Sequence, residues 1–260
     1  MKFVRFALHG QTEYGLVEGQ SVRVLDHSPF ESYNITDTTH DIQDLQLLSP
    51  TTPTKALAIG LNYRTHIGDR EPPSRVEAFL KTPNAIIGPD SPIVLPTGAG
   101  KVDEEGELVI VIGRRCSRVT KEEALSYVLG YTCGIDVSAR LWQGGPDKDL
   151  QWWRAKSADT FGPTGPFIST EVDPSDFELI VRVNGQEVQH GHSNDLVYDI
   201  PTCISAISAH VTLEPGDLIF TGTPGKTTEL NDGDIVEVEI PGIGVLSNPV
   251  VSEERYLGRQ

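Results

Sequence analysis

Apolar positions along the chain recur mostly with a period of two and in short runs, so strands dominate the expected structure. Phe3–Leu8 and Ser21–Leu25 alternate like strands, with Gly15 and Gly19 as turn signals. Ala56–Ile59 and Glu107–Ile112 read as further strands. Phe177–Val183 and Glu187–Gln189 flank Asn184-Gly185, a two-residue hairpin signal. Asp217–Phe220 follows the Pro215-Gly216 turn, and Ile235–Ile240 follows Asp232-Gly233. Helices are expected at Thr36–Leu48, at Lys121–Leu129 with Thr120 as N-cap, and at Ile200–Ala209. Ser49–Thr54 reads as a linker. The pattern predicts a small β-rich module at 1–50 and a larger domain at 51–260. The fold class is α+β and β-rich, with a closed or rolled mixed sheet rather than a doubly wound one.

Charge narrows the partners. A net charge of −16 disfavours nucleic acid and anionic membrane surfaces. A small anionic substrate would need a local cation, either a metal or a placed Lys or Arg. Cys116, Cys133 and Cys203 are odd in number and widely spaced, which fits free thiols in a reducing compartment. The N-terminal stretch is too short and too interrupted by Arg5 for a signal peptide, and no apolar run approaches a membrane span. A cytoplasmic or organelle-matrix location is the expectation.

Asp103, Glu105 and Glu107 stand two apart, so a strand would carry all three on one face with Val109 and Val111. Leu108, Ile110 and Ile112 make the other face apolar as well, so Glu107 sits where a strand enters the core. Adjacent buried carboxylates repel, and a hard divalent cation with all-oxygen ligation would relieve them. A solvated acidic loop is the bland alternative. Asp136 ends the strand-like run Gly130–Ile135; its spacing suits a further ligand or a helix cap equally.

Taken in order, these segments resemble the fumarylacetoacetate hydrolase superfamily. The matching pieces include Ile59-Gly-Leu-Asn-Tyr63 with His66, Asp103-x-Glu105-x-Glu107-Leu108, Gly130-Tyr-Thr132, and Asp136-Val-Ser-Ala-Arg140 with Gln143. They continue through Lys156, Asp159-Thr-Phe161, Val183-Asn-Gly185, Leu213-x-Pro215-Gly216-Asp217 and Thr221-Gly-Thr-Pro224, over about residues 56 to 250. The resemblance implies a β-roll catalytic domain, usually a homodimer, with a smaller N-terminal domain. It implies Mg²⁺ or Mn²⁺ held by Glu105, Glu107 and Asp136, and leaves Asp103 out of the ligand set. Two positions depart from the family pattern: Ile135 replaces a frequent Asn, and the family's His-x-x-Glu reads His66-Ile-Gly-Asp69.

His66 and Asp69 would share a face of one helical turn, where a carboxylate could orient an imidazole for acid–base work. Lys156, in an aromatic and glycine-rich segment, could pair with a substrate carboxylate or an enolate oxygen. Arg140 and Gln143 could touch substrate, and Tyr63 and Thr223 match family substrate-contact positions. Gly222–Thr227 is no phosphate loop, because Phe220 stands where the motif needs glycine. The expected reaction is Mg²⁺-dependent hydrolysis of a C–C bond in a 2,4-dioxo acid such as an acylpyruvate. A water activated by His66 would attack the 4-carbonyl, and Lys156 would help stabilise the departing enolate. Oxaloacetate decarboxylation or keto–enol tautomerisation is the alternative. A non-catalytic ligand-binding relative comes third.

Overall fold

Period-two burial is realised from the first strand onward: in β1 (Lys2–Leu8), Val4 and Phe6 are buried while their neighbour Arg5 is half-buried. The computed structural model describes residues 1–258. β1 is followed by β2 (Gln11–Glu18), β3 (Ser21–Leu25) and β4 (Ile35–Asp41), an antiparallel meander. The larger part of the chain contributes β5 (Ala56–Gly60), β6 (Glu77–Lys81), β7 (Gly106–Ile112), β8 (Val128–Ile135) and β9 (Gly162–Ser169). Beyond them lie β10 (Glu178–Val183), β11 (Gln186–His192), β12 (Leu218–Phe220), β13 (Ile235–Ile240) and β14 (Gly244–Ser252). Helices are short: α1 (Arg64–Ile67), α2 (Arg140–Gly144), α3 (Trp153–Ser157), α4 (Ile200–Ser208) and α5 (Glu253–Leu257). None of the described helices is long and apolar enough to cross a membrane.

One large sheet runs β4-β3-β2-β1-β9-β8-β7-β12-β5-β6. A second, five-stranded sheet runs β11-β10-β13-β14 and ends on the short strand Ile93–Leu95. The fold is therefore α+β and β-rich, with mixed sheets, since β12 pairs parallel to β5 among largely antiparallel neighbours. β7 is buried along its whole length. Leu108, Ile110 and Ile112 face the large core with Val181, Val238 and Leu246 of the second sheet. Val109 and Val111 face a smaller core with Ala56, Ala58, Leu218 and Phe220. A strand packed on both faces is rigid, which suits it to carry charged side chains at its end.

The N-terminal meander is stitched into this sheet. β1 pairs with β9 through Lys2–Ser169 and Phe3–Ile168. Ser49–Thr54, expected as a linker, is pinned in place. Ser49 Oγ lies 2.8 Å from Thr164 Oγ1, Thr51 Oγ1 donates to the Gly216 carbonyl, and the Thr54 amide donates to Asp217 Oδ1.

Two expected helices are corrected. Thr36–Leu48 forms β4, a single 3₁₀ turn at Ile42–Asp44 and a two-residue strand at Gln46–Leu47. Its Thr36, Thr38 and Thr39 favour a pleated strand, and Asp41 Oδ1 accepts from the Gln43 amide to make the turn. Lys121–Leu129 keeps only a 3₁₀ turn at Ala124–Tyr127, because Val128 pairs with Ile112 and draws the chain into β8. Thr120 does not cap a helix; its amide and hydroxyl donate to Glu123 Oε2.

Candidate active site

Glu107, the second residue of β7, lies directly opposite Gly134 of β8. Glu105 precedes the strand, and its carbonyl accepts the Asp136 amide at 2.8 Å, which ties the ends of β7 and β8 together. The three carboxyl groups converge: each offers an oxygen, and these oxygens all lie within 4.8 Å of one another. All are buried, Glu105 at 6%, Glu107 at 1% and Asp136 at 1% exposure. Asp136 is not a helix cap; α2 begins four residues later with Ala139 as its N-cap. Asp103 lies on a separate two-residue strand with Val102, so the single-face strand expected for 103, 105 and 107 breaks before Gly106. Its carboxylate binds Arg140 Nε at 2.8 Å and Thr227 Oγ1 at 2.7 Å.

Two lysines press on the acids. Lys156 Nζ donates to Glu105 Oε2 at 2.7 Å, Asp136 Oδ2 at 2.6 Å and Ser138 Oγ at 2.5 Å. An ammonium has three N–H donors, and all three are used. Lys81, a residue the sequence reading missed, donates from Nζ to Asp136 Oδ1 at 2.6 Å and to the Lys156 carbonyl. Its signal lies in β6, where Leu80 is 59% exposed and Lys81 is 1% exposed, so the cation points inward. Burial pushes the Lys81 ammonium below its usual value, whereas for Lys156 the attraction of Asp136 and Glu105 outweighs burial and holds it above. Glu105 is held at about 2 against the cost of burial, chiefly by Lys156 and Arg140. Glu107 goes the other way: burial, with repulsion from Asp136 and Glu105, raises it well above the usual carboxylate value. Its Oε2 accepts the Gly222 amide at 2.6 Å.

That amide comes from the loop after β12, where Gly222 has φ +101° and a Cβ would lie 2.9 Å from Asn62 Cβ. Asn62 Nδ2 in turn donates to the Thr221 carbonyl at 2.8 Å. The same loop fixes α1: His66 Nδ1 lies 2.8 Å from the Gly225 carbonyl, and the Gly225 amide donates to Thr65 Oγ1. A carbonyl partner requires the proton on Nδ1 and leaves Nε2 as a base. Asp69 does not join His66. It is exposed, beyond the Gly68 turn that ends α1, and makes no hydrogen bond or ion pair in the described structure.

A cavity of about 440 Å³ collects these groups; His66, Arg70, Phe79, Glu105, Glu107 and Asp136 are among its walls. Arg140, Gln143, Lys156 and Thr223 also line it. Arg140 is heavily engaged, with Nη2 2.8 Å from Glu105 Oε1 and Nη1 donating to Gln143 Oε1 at 2.7 Å. Thr223 Oγ1 donates to the Gly106 carbonyl at 2.9 Å. Tyr63 stands apart from the walls: its hydroxyl is buried and without a hydrogen-bond partner among the described residues. A larger groove of about 670 Å³ in the N-terminal meander gathers His9, His27 and His40 with Glu13 and Asp26, but no three of them form a ligand cluster among the described residues.

The donor set fits a hard cation. Three carboxylates offer only oxygen, and Glu107, the acid that no lysine touches, has the most to gain from a positive charge.

The chain is similar to known proteins over nearly its whole length. Residues 55–251 match the family described as fumarylacetoacetate (FAA) hydrolase C-terminal, and residues 1–50 match one described as Rv2993c-like, N-terminal. The solved 5-carboxymethyl-2-hydroxymuconate delta-isomerase from Mycobacterium smegmatis is 43% identical with a TM-score of 0.91, covering 97% of this chain and 100% of that one. The maleylpyruvate hydrolase of Sphingobium sp. SYK-6, solved with manganese(II) and pyruvate, is 29% identical with a TM-score of 0.81, over 97% of this chain and 99% of that one. A mitochondrial oxaloacetate tautomerase of Xenopus laevis is 39% identical over 221 residues, 80% of this chain and 69% of the relative.

Proposed function

The chain belongs to the fumarylacetoacetate hydrolase family, and from that premise we propose that it is a divalent-cation-dependent enzyme that hydrolyses a C–C bond in a small 2,4-dioxo acid. The observation that carries this reading is the convergence of Glu105, Glu107 and Asp136 in a cavity that His66 also lines. Glu105, Glu107 and Asp136 are the proposed ligands of Mg²⁺ or Mn²⁺, which when bound supplies Lewis-acid polarisation of the 2-oxo group. His66 is the proposed general base, its Nδ1 held by the Gly225 carbonyl and its Nε2 able to take a proton from water. Lys156 neutralises the acids, and once a cation holds their oxygens its ammonium has donors to spare for a substrate oxyanion. Arg140 and Gln143 are the proposed contacts for the substrate's far end, with Thr223 shaping the wall.

A second reading is enol–keto tautomerisation of oxaloacetate or a related 2-oxo acid. It is favoured by the exposed position of Asp69: the dyad expected to drive water attack is not assembled, whereas proton transfer needs only a single base.

One assay separates the two. Pyruvate release from acetylpyruvate and from oxaloacetate, and ketonisation of enol-oxaloacetate, are followed with wild type and His66→Ala at saturating Mg²⁺. Hydrolysis predicts acetylpyruvate turnover that His66→Ala lowers by roughly 10²–10⁴-fold. Turnover of enol-oxaloacetate without acetylpyruvate cleavage would replace the hydrolase with the tautomerase.

A further inference from the structure

The outer face of the second sheet carries a different set of ligating side chains. In β11, Gln189 and Gly191 are buried while His190 and His192 are exposed, the alternation of a strand with one solvated face. The register sets Glu178 of β10 opposite His192, and Ile180 opposite His190. Glu178, His190 and His192 therefore share one face, and their ligating atoms all lie within 4.8 Å of one another. The two imidazole rings sit 5.2 Å apart, tilted by 32°. His190 Nε2 lies 2.5 Å from Glu178 Oε1, and its Nδ1 lies 3.3 Å from Glu187 Oε1.

We propose that Glu178, His190 and His192 form a second metal site, selective for a borderline transition metal such as Zn²⁺ and separate from the all-carboxylate centre. Two imidazoles and one carboxylate are a zinc donor set, with a fourth position for water, whereas Mg²⁺ prefers oxygen alone. Glu187 completes it: without metal, His190 Nε2 carries the proton that Glu178 Oε1 accepts, and on binding that proton leaves to solvent while the Glu187 carboxylate keeps the one on Nδ1 and holds the ring. For the ion to enter, the Nε2–Oε1 pair opens from 2.5 Å to about 3.3 Å, the edge of a tetrahedron with bonds of about 2.0–2.1 Å. The Glu178 side chain is 39% exposed, so it has room for that shift. The site lies on the reverse of the strand whose Gln189 donates to Thr223 Oγ1, outside the catalytic cavity.

The test uses full-length protein without a histidine tag, in a Glu107→Gln background that weakens the carboxylate centre and leaves the buried Asp136–Lys81 and Asp136–Lys156 pairs intact. After chelator treatment and dialysis against Zn²⁺, bound metal is counted by atomic emission. One Zn²⁺ per chain is expected, unaffected by excess Mg²⁺. His192→Ala and Glu178→Gln each weaken it at least about tenfold, and Glu187→Gln by roughly 10–100-fold. These side chains are on the surface, so thermal melts should match the parent and certify folding. Co²⁺ in the same background should give the intense visible bands of a four-coordinate ion. No zinc in this background, affinity unchanged by His192→Ala and Glu178→Gln, or a weak six-coordinate Co²⁺ spectrum would each overturn the proposal. Loss of Mg²⁺-dependent activity in Glu107→Gln bears only on the catalytic centre.

Discussion

Glu107 is the residue on which the site turns, because among the described residues no cation hydrogen-bonds or ion-pairs with it and the pull of Lys156 does not offset its burial. Its raised pKa comes first from burial and then from Asp136 and Glu105. The folded chain therefore keeps that proton to higher pH than the unfolded chain does. Without a cation, the stability Glu107 contributes is full below its ordinary value of 4.5 and is lost as pH rises from there toward the raised value. Glu107→Gln cannot ionise and escapes this loss. Melts in chelator from about pH 4 to pH 8 should show the variant gaining on wild type as pH rises, and saturating Mg²⁺ should reverse the order by binding only wild type tightly. A wild type that gains on the variant in chelator would show that Lys81 and Lys156 already satisfy the acid. Asp69 gives the opposite expectation. Exposed and unbonded, it predicts Asp69→Asn turnover within about twofold of wild type, because nothing reaches His66 through it. A drop comparable to that of His66→Ala in the same turnover assay would mean that α1 rearranges to bring the two side chains together.

At the scale of elements, what was legible in the sequence was what a strand's own period dictates. Glu107, Val109 and Val111 needed only alternation to be placed, and the apolar residues between them announced a strand buried on both sides, whereas Glu105 lies just before the strand and is brought in by the bond from the Asp136 amide to its carbonyl. Elements decided by distant partners were not legible. Thr120-Lys-Glu-Glu-Ala-Leu125 has helix-forming residues, but Val128 must meet Ile112 in β8, so tertiary pairing overrides propensity. Lys81 was invisible for the same reason, since its meaning comes from Asp136, 55 positions away. The pairing of β7 with β8 yields a sharp expectation. Gly134 faces Glu107 across the ladder, and a Cβ there would lie 2.4 Å from Val109 Cγ2 and 2.7 Å from Phe220 Cε1. Gly134→Ala should overpack the smaller core and cost about 1–3 kcal/mol. Denaturant titration should show a lower midpoint with an unchanged slope, and Mg²⁺ affinity should fall as the two carboxylate-bearing strands part. An unchanged midpoint would mean that β12 yields without cost.

At the scale of the whole molecule, the N-terminal meander and the larger part share a sheet and a core. Phe3, Leu16 and Leu25 are buried with Ile168, Leu218 and Phe220, and Phe167 packs against the meander's own core of Val4, Phe6 and Val22. Burying each such side chain stabilises the fold by about 1.5–3 kcal/mol. A chain lacking residues 1–50 would therefore lose more than an appendage. β9 would become an open edge at Ile168 and Ser169, and the face that carries Val109 and Val111 would lose part of its cover. Exposed edges and apolar faces are the surfaces through which chains associate. Residues 51–260 alone are expected to aggregate or to elute as large species in size-exclusion chromatography, with little Mg²⁺-responsive protein recovered. Co-expressing residues 1–50 as a separate segment should restore soluble protein, because the contacts that hold it are hydrogen bonds along β1 and side chains packed on both of its faces. If 51–260 instead yields a monomer with native circular dichroism and full Mg²⁺ affinity, the catalytic part is self-sufficient, and the shared core adds stability without being needed for folding.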